Sequence, residues 1–200
     1  MSFESIRAVF RRLDQEIWVV TTADQHSKAG LVATLVNSAS IVSDLPRVLV
    51  GLSKQHQTTT AVCAAGTFVL NLLSSTQTEL AWSFGLQSGH TVDKWQGNVA
   101  HTTSPDGDPV LEGTSGWLTC RLEQRFDVGD RWLVLAEVLD GHAASDVPPL
   151  TISRLLETAT TAQREQLLSQ QQSDAQIDAK HIRQWRQQRS PQADHPEFDT

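Results

Sequence analysis

Between residues 17 and 138 the apolar positions fall in short runs rich in β-branched residues, broken by polar or turn residues. The runs are Ile17 to Thr22, Gly30 to Val36, Arg47 to Leu52, Phe68 to Leu73, Ser115 to Phe126 and Arg131 to Val138. Segments of that length and composition predict strands. Three stretches follow a helical period instead. Phe3, Ile6, Val9, Phe10 and Leu13 share a face of an opening helix between Ser2 and Asp14. Thr58 to Ala65 reads as a helix closed by Gly66, and Ser75 to Phe84 as a third with Ser75 or Thr76 as its cap. Asp127-Val128-Gly129-Asp130 separates the last two strands and predicts a hairpin loop in which Gly129 supplies the permissive backbone.

Two regions stand apart from this rhythm. Gly85 to Gly113 is rich in Gly, Asp, Thr and Ser and forms a long excursion with Trp95 and Val99 as its anchors; such loops tend to be functional or to cover something. From Thr158 onward Gln, Arg and Ala prevail. Leu155, Leu156, Leu167, Leu168, Ile177, Ile182 and Trp185 leave only a thin apolar stripe, which predicts two helices packing on the body or on a partner chain, with a frayed end past Ser190. The expected division is a domain over residues 1–150 and a helical, Gln-rich extension over 151–200. Regular crossover helices do not separate the strands, so a mainly β protein built as an antiparallel barrel is expected, with short inserted helices.

Charge and cysteine usage narrow the partners. A net charge of -7 and a pI near 5.4 argue against nucleic acid and against an anionic membrane surface, because both need a concentrated basic face. No apolar run reaches membrane-spanning length and the first thirty residues lack a signal-peptide core, so a cytoplasmic protein is expected. Cys63 and Cys120 make neither a disulfide framework nor a metal set, and the seven histidines lack metal-binding spacing.

The chemistry-bearing residues cluster twice. The run Gly30-Leu31-Val32-Ala33-Thr34-Leu35-Val36-Asn37-Ser38 ends in hydroxyl and amide groups, and Ser53-Lys54-Gln55-His56-Gln57-Thr58-Thr59-Thr60 repeats that chemistry where a strand gives way to a helix. Neither a GxGxxG turn nor a P-loop is present, so a phosphate would be held by side-chain hydroxyls and a helix N-terminus, whose unpaired amides and positive dipole favour an anion. Two such clusters can converge on one anion. The alternative is that these residues only cap a helix and close a turn. Asn71 lies in an otherwise apolar strand, where an unpaired amide costs about 1–3 kcal/mol, and therefore needs a partner.

The order of these landmarks resembles the flavin-reductase-like family of the FMN-binding split barrel. The resemblance covers residues 10 to 141 and rests on VVTT at Val19 to Thr22, the GLVATLVNSAS run, Pro46 before its strand, the Ser53 to Thr58 turn and FVLNLL at Phe68 to Leu73. It continues through ELAWSFG at Glu79 to Gly85, DKW at Asp93 to Trp95, PVLEG at Pro109 to Gly113, the cysteine-bearing strand Leu118 to Leu122, and GDRWLVLAEV at Gly129 to Val138. Within the family the wording is most similar to the flavin-reductase module at the C-terminal end of cyanobacterial flavodiiron proteins. The metallo-β-lactamase-like and flavodoxin-like modules that precede it there have no counterpart in these 200 residues, so a free-standing relative is expected.

The resemblance implies a Greek-key-like split barrel that binds FMN and passes hydride from NADH or NADPH to the flavin, which then reduces free flavin, oxygen or a partner protein. It implies a homodimer with FMN at the subunit interface. It assigns Thr34, Asn37, Ser38, Ser53, Lys54, Thr58 and Thr59 to the cofactor, chiefly its phosphate, and Asn71 to the ring or the loop beside it, against a neighbouring backbone partner. Phe84, Trp95 and Trp132 would wall the ring or belong to the core, and Lys94, beside Asp93, would reach the phosphate or stay solvated. No catalytic side chain and no metal are implied.

Three features depart from the family pattern. Arg131, also assigned to the cofactor as a stabiliser of the reduced flavin's charge, stands where many of these reductases carry a histidine; an arginine pairs with phosphate or carboxylate but does not shuttle a proton at neutral pH. Its alternative fate is an ion pair with Asp127 or Asp130. Ile41 to Pro46 replaces a shorter approach to a double proline, and the family does not predict the Gln-rich tail. Arg131 and the tail support an alternative function: an FMN-binding electron-transfer or docking module with little NAD(P)H activity.

Overall fold

The computed structural model describes residues 3–10, 12–86, 94–95 and 99–189; Asp93 and the segment past Ser190 lie outside them. Helix α1 (Phe3–Phe10) precedes β1 (Trp18–Ala23), β2 (Lys28–Ala33), β3 (Val36–Ser38) and β4 (Arg47–Ser53). Helix α2 (Gln57–Ala65), β5 (Thr67–Leu72) and α3 (Thr78–Leu86) follow, then the short pair β6 (His101–Thr103) and β7 (Pro109–Leu111). The long hairpin β8 (Gly116–Asp127) and β9 (Arg131–Ala143) leads to α4 (Ile152–Thr158) and α5 (Thr161–Gln188).

Seven strands form one antiparallel sheet in the order β2-β1-β5-β8-β9-β4-β3. The strand expected over Gly30 to Val36 is two strands at opposite ends of this order. Thr34 and Leu35 form the corner between them, and the backbone N–H of Gly51 donates to Leu35 O at 2.9 Å where the sheet curls round on itself. The result is the half-barrel that the strand pattern predicted.

Alternation in the strands feeds two cores. Val20, Leu31, Val48, Val50, Leu52, Phe68, Leu70 and Val134 fill the barrel, with Val62 of α2 plugging one side. Ile17, Val19, Leu73, Phe84, Leu111 and Leu150 form a second core under α3 and the β6–β7 pair. Helix α2 ends at Gly66, whose left-handed φ of 75° and N–H bond to Val62 O close it as expected.

The C-terminal segment forms two helices. Thr151 caps α4, and Thr160 with Gln163 makes a reciprocal capping box for α5. Helix α5 runs over the β8–β9 loop: a Cβ on Gly129, at φ 102°, would lie 3.1 Å from the Ile182 Cα and 3.2 Å from the Trp185 Cβ. Gly129 therefore serves the turn and the close approach of α5 together. No helix among the described residues is long and apolar enough to cross a membrane.

Candidate functional site

Strand β4 delivers Ser53 to the mouth of the barrel, and a tight turn leads into α2. Lys54 N–H donates to Asp130 O at 3.0 Å, which fixes this turn against the β8–β9 loop. Thr59 Oγ1 donates back to Ser53 O at 2.7 Å, and the Ser53 hydroxyl accepts the N–H of Gln55 at 3.4 Å. His56 holds the N-cap position in extended backbone without a side-chain cap bond, so no side chain caps the N-terminus of α2.

Beside that turn a pocket of about 270 Å³ opens between α2 and the β8–β9 hairpin, lined by Lys54, Thr59, Thr60, Cys63, Arg125 and Trp132. Lys54 Nζ lies 4.5 Å and Arg125 Cζ 4.6 Å from the centre of the Trp132 ring. Lys54 also pairs with Asp127 at 2.5 Å, and its ammonium holds the Asp127 carboxyl below the usual carboxylate range. Arg125 has no carboxylate partner among the described residues. A half-exposed, cationic and aromatic pocket beside a hydroxyl-bearing helix face suits a phosphate joined to a flat ring.

The other side of α2 faces a larger groove of about 930 Å³ that reaches the turn between β1 and β2 and is lined in part by Thr58, Lys28, Gly30, Lys94 and Trp95. Thr58 and Thr59, adjacent in sequence, thus line different cavities. The strand register separates the first cluster further. Ser38 pairs with Val48 and Asn37 with Leu49, so Ser38 lies five residues along β4 from Ser53, about 16 Å at strand spacing. Only Thr34, half-buried at the corner, stays near the Ser53 end. Within one chain, then, Asn37 and Ser38 do not close with Lys54 and Thr59 around one anion; the distance is that of an extended ligand. Both are exposed, and the Ser38 hydroxyl donates to Ser40 O at 3.0 Å.

Three assignments are corrected by their surroundings. Asn71 is fully buried and every polar atom of its amide is engaged: Nδ2 donates to Val19 O and Thr21 Oγ1, each at 3.0 Å, and Oδ1 accepts Leu111 N–H at 2.8 Å. It stitches the barrel to β7 and, with no exposed surface, is held inside the barrel rather than offered to a cofactor. Phe84 is 1 % exposed, packed edge-on against Trp95 and directly over Gly30, so it is core. Lys94 Nζ donates to Gly30 O at 3.1 Å and Phe84 O at 2.9 Å, and burial pushes its pKa down to about 8. It joins α3 to β2 rather than reaching the Lys54 turn.

Arg131 follows its alternative fate. Its Nε lies 2.6 Å from Asp130 Oδ2, and its Nη2 lies 3.9 Å from Asp178 Oδ2 on α5. Gln55 Nε2 donates to the other oxygen of Asp178 at 2.6 Å. Sequence reasoning missed Arg125 and Asp178, and it placed Gln55 in the second cluster without a role of its own. Arg125 was findable as a cation diagonal to Trp132 across the predicted hairpin; Asp178 carries no local signal at all. Burial pushes the Cys120 thiol up to about 12, which makes it an inert core group. Among the described residues no cluster of His, Cys, Asp or Glu could hold a metal ion.

Comparison with known proteins places this geometry in context. Residues 10–155 match the family model described as flavin reductase like domain. The NADH:FMN oxidoreductase of Rhodococcus erythropolis is 29 % identical over 140 residues, covering 70 % of each chain. Diflavin flavoprotein A 1 of Synechocystis is 24 % identical over 134 residues, 66 % of this chain but 23 % of that one. Among solved structures, the NADH:FAD oxidoreductase SgcE6 of Streptomyces globisporus superimposes with a TM-score of 0.65 at 23 % identity, covering 72 % of this chain and 84 % of that one, which is a likeness of fold.

Proposed function

The chain belongs to the flavin-reductase-like family, and from that premise we propose that it is an NAD(P)H:flavin oxidoreductase that binds FMN. The observation that carries the binding half is the pocket of Lys54, Thr59, Arg125 and Trp132 along the flank of α2. Its donors are the right chemistry for a phosphate on a flat aromatic ligand: two cations and a hydroxyl-bearing helix face. When bound, FMN supplies the hydride-accepting chemistry.

The protein's part is to bind and orient. Lys54 is already steered by Asp127 and Trp132, so little side-chain freedom remains to be lost when an anion arrives. Holding donor and acceptor near 3–3.5 Å is enough for hydride transfer, and no side-chain base is required. Asn37 and Ser38 reach the far end of an extended ligand, where Ile41, Val42 and Leu45 stand exposed beside them. A second copy of the chain would cover those apolar residues and complete the site, which supports a homodimer with FMN at its interface. The electron acceptor is free flavin, oxygen or a partner protein.

Anaerobic mixing with FMN and NADH or NADPH tests the proposal: loss of flavin absorbance in the visible is expected, and no bleaching with either nucleotide ends the reductase reading. A second reading, an electron-transfer or docking module with little NAD(P)H activity, is favoured by Arg131, whose guanidinium is engaged by Asp130 and Asp178. NADH titration against the FMN-loaded protein separates the two, because only a reductase has an open nicotinamide pocket.

A further inference from the structure

The groove of about 930 Å³ between α2 and the β1–β2 turn stands outside the pocket assigned to FMN, and its volume is that of a small-ligand site. Its lining runs against the charge of the chain, which is -7 overall. Lys28 and Lys94 both face it, and neither is ion-paired with a carboxylate among the described residues. The acid on this wall is Asp24, which spends one carboxylate oxygen on the N–H groups of His26 and Ser27 to close the β1–β2 turn.

Each cation keeps N–H groups for a ligand. Of the three on an ammonium, Lys94 uses two, on Gly30 O and Phe84 O, and Lys28 uses one, 2.8 Å from His101 Nε2. Burial with no counter-charge is what holds the Lys94 pKa down at about 8. Thr58 lines the same groove at 6 % exposure, and its hydroxyl has no partner among the described residues. A nearly buried hydroxyl left this way points to a partner from outside the chain. Trp95, half-buried, adds an aromatic wall beside Lys28, whose Nζ lies 5.7 Å from the ring centre.

Thr60 and Ala64 line both this groove and the Trp132 pocket, so the two cavities meet on the outer face of α2. A ligand anchored at Lys28 runs toward the flavin pocket over small side chains. We propose that the groove takes the ADP half of the pyridine nucleotide: Lys28, Lys94 and the Thr58 hydroxyl hold its pyrophosphate, Trp95 walls the adenine, and the nicotinamide end passes over Thr60 and Ala64 to the flavin. This rests on the reading of the chain as an NAD(P)H:flavin oxidoreductase and gives the coenzyme its place. Helix α2 then stands between the flavin phosphate at Lys54 and the coenzyme phosphates at Lys28, which keeps two groups of like charge apart.

ADP-ribose, which carries the ADP half and no nicotinamide, tests this by calorimetric titration of the full chain without FMN. Lys28→Gln is expected to weaken its binding about tenfold or more, the loss of one charge-assisted bond, and Thr58→Val about threefold. Lys54→Ala, which alters only the Trp132 pocket, is expected to bind ADP-ribose as the wild type does, and Lys28→Gln to keep wild-type affinity for FMN. No binding of ADP-ribose, equal affinity in Lys28→Gln, an equal loss in Lys54→Ala, or loss of FMN along with ADP-ribose in Lys28→Gln overturns the assignment. Bleaching of FMN by NADH or NADPH is read separately. Bleaching without ADP-ribose binding removes the groove and keeps the reductase, and binding without bleaching does the reverse.

Discussion

The Asn71 side chain and the Leu111 backbone are joined by a 2.8 Å bond from the Leu111 N–H to Asn71 Oδ1, which ties the centre of the barrel to the β6–β7 pair. Replacing Asn71 with alanine strands that N–H in a dry interior and takes a donor from Val19 O and from Thr21 Oγ1, which keeps its own bond to Pro109 O. Asn71→Ala is expected to lower stability by about 2–4 kcal/mol, read from a denaturant midpoint, while the folded fraction binds FMN as the wild type does. Lost FMN affinity at near wild-type stability would restore Asn71 to the cofactor site.

Asn71 also shows where sequence reading stops. A polar residue in FVLNLL announces that a partner exists, because the cost of leaving it unpaired is too high, but the partner lies 40 residues away on β7 and leaves no trace in the local pattern. Strand positions, the Gly66 cap and the Asp127 to Asp130 loop were legible because each rests on local backbone chemistry. The corner at Thr34 and Leu35 was not, since the apolar run continues through it and only the distant Gly51 N–H marks the change of sheet edge. The same holds at the site. Hydroxyls near Ser53 mark a strand-to-helix turn because that turn is local, whereas the separation of Asn37 and Ser38 from it follows from pairing register, and the Gln55 to Asp178 bond spans 123 residues.

Two glycines on the α3 side give opposite outcomes. A Cβ on Gly30 would stand 2.5 Å from Phe84 Cε1, a ring pinned in the second core, whereas one on Gly85 meets only Val32 Cγ2 at 3.5 Å. Gly30→Ala is expected to cost about 1–3 kcal/mol by overpacking, and Gly85→Ala to gain about 0.5–1 kcal/mol as a better helix former. Thermal unfolding of the pair checks the contrast; equal effects would mean the Phe84 ring is free to yield.

Lys94 predicts a slope of stability with alkaline pH. Burial lowers its folded pKa to about 8 from an ordinary 10.5, so between those values the unfolded chain holds a proton that the folded chain has released. The unfolded state binds more protons there, and stability rises with pH. With the side chain only partly shielded from solvent, a rise of roughly 1 kcal/mol relative to Lys94→Met is expected, a variant that lacks the slope and loses the bonds to Gly30 O and Phe84 O. Parallel curves for the two proteins across that window would show the ammonium to be solvated.

Lys54 offers the sharpest reading of the pocket, because its charge matters only if the ligand carries one. Lys54→Ala removes the cation over Trp132 and leaves the Asp127 carboxylate beside the pocket without its partner. A charge-assisted bond is worth about 1.5–3 kcal/mol, so FMN affinity is expected to fall roughly 10- to 100-fold. Riboflavin, which keeps the ring and polyol but has no phosphate, should bind the variant and the wild type alike. Fluorescence-quenching titrations of both ligands against both proteins give the four affinities. Equal losses for FMN and riboflavin would move the phosphate away from Lys54 and leave Trp132 as the group that holds the ring.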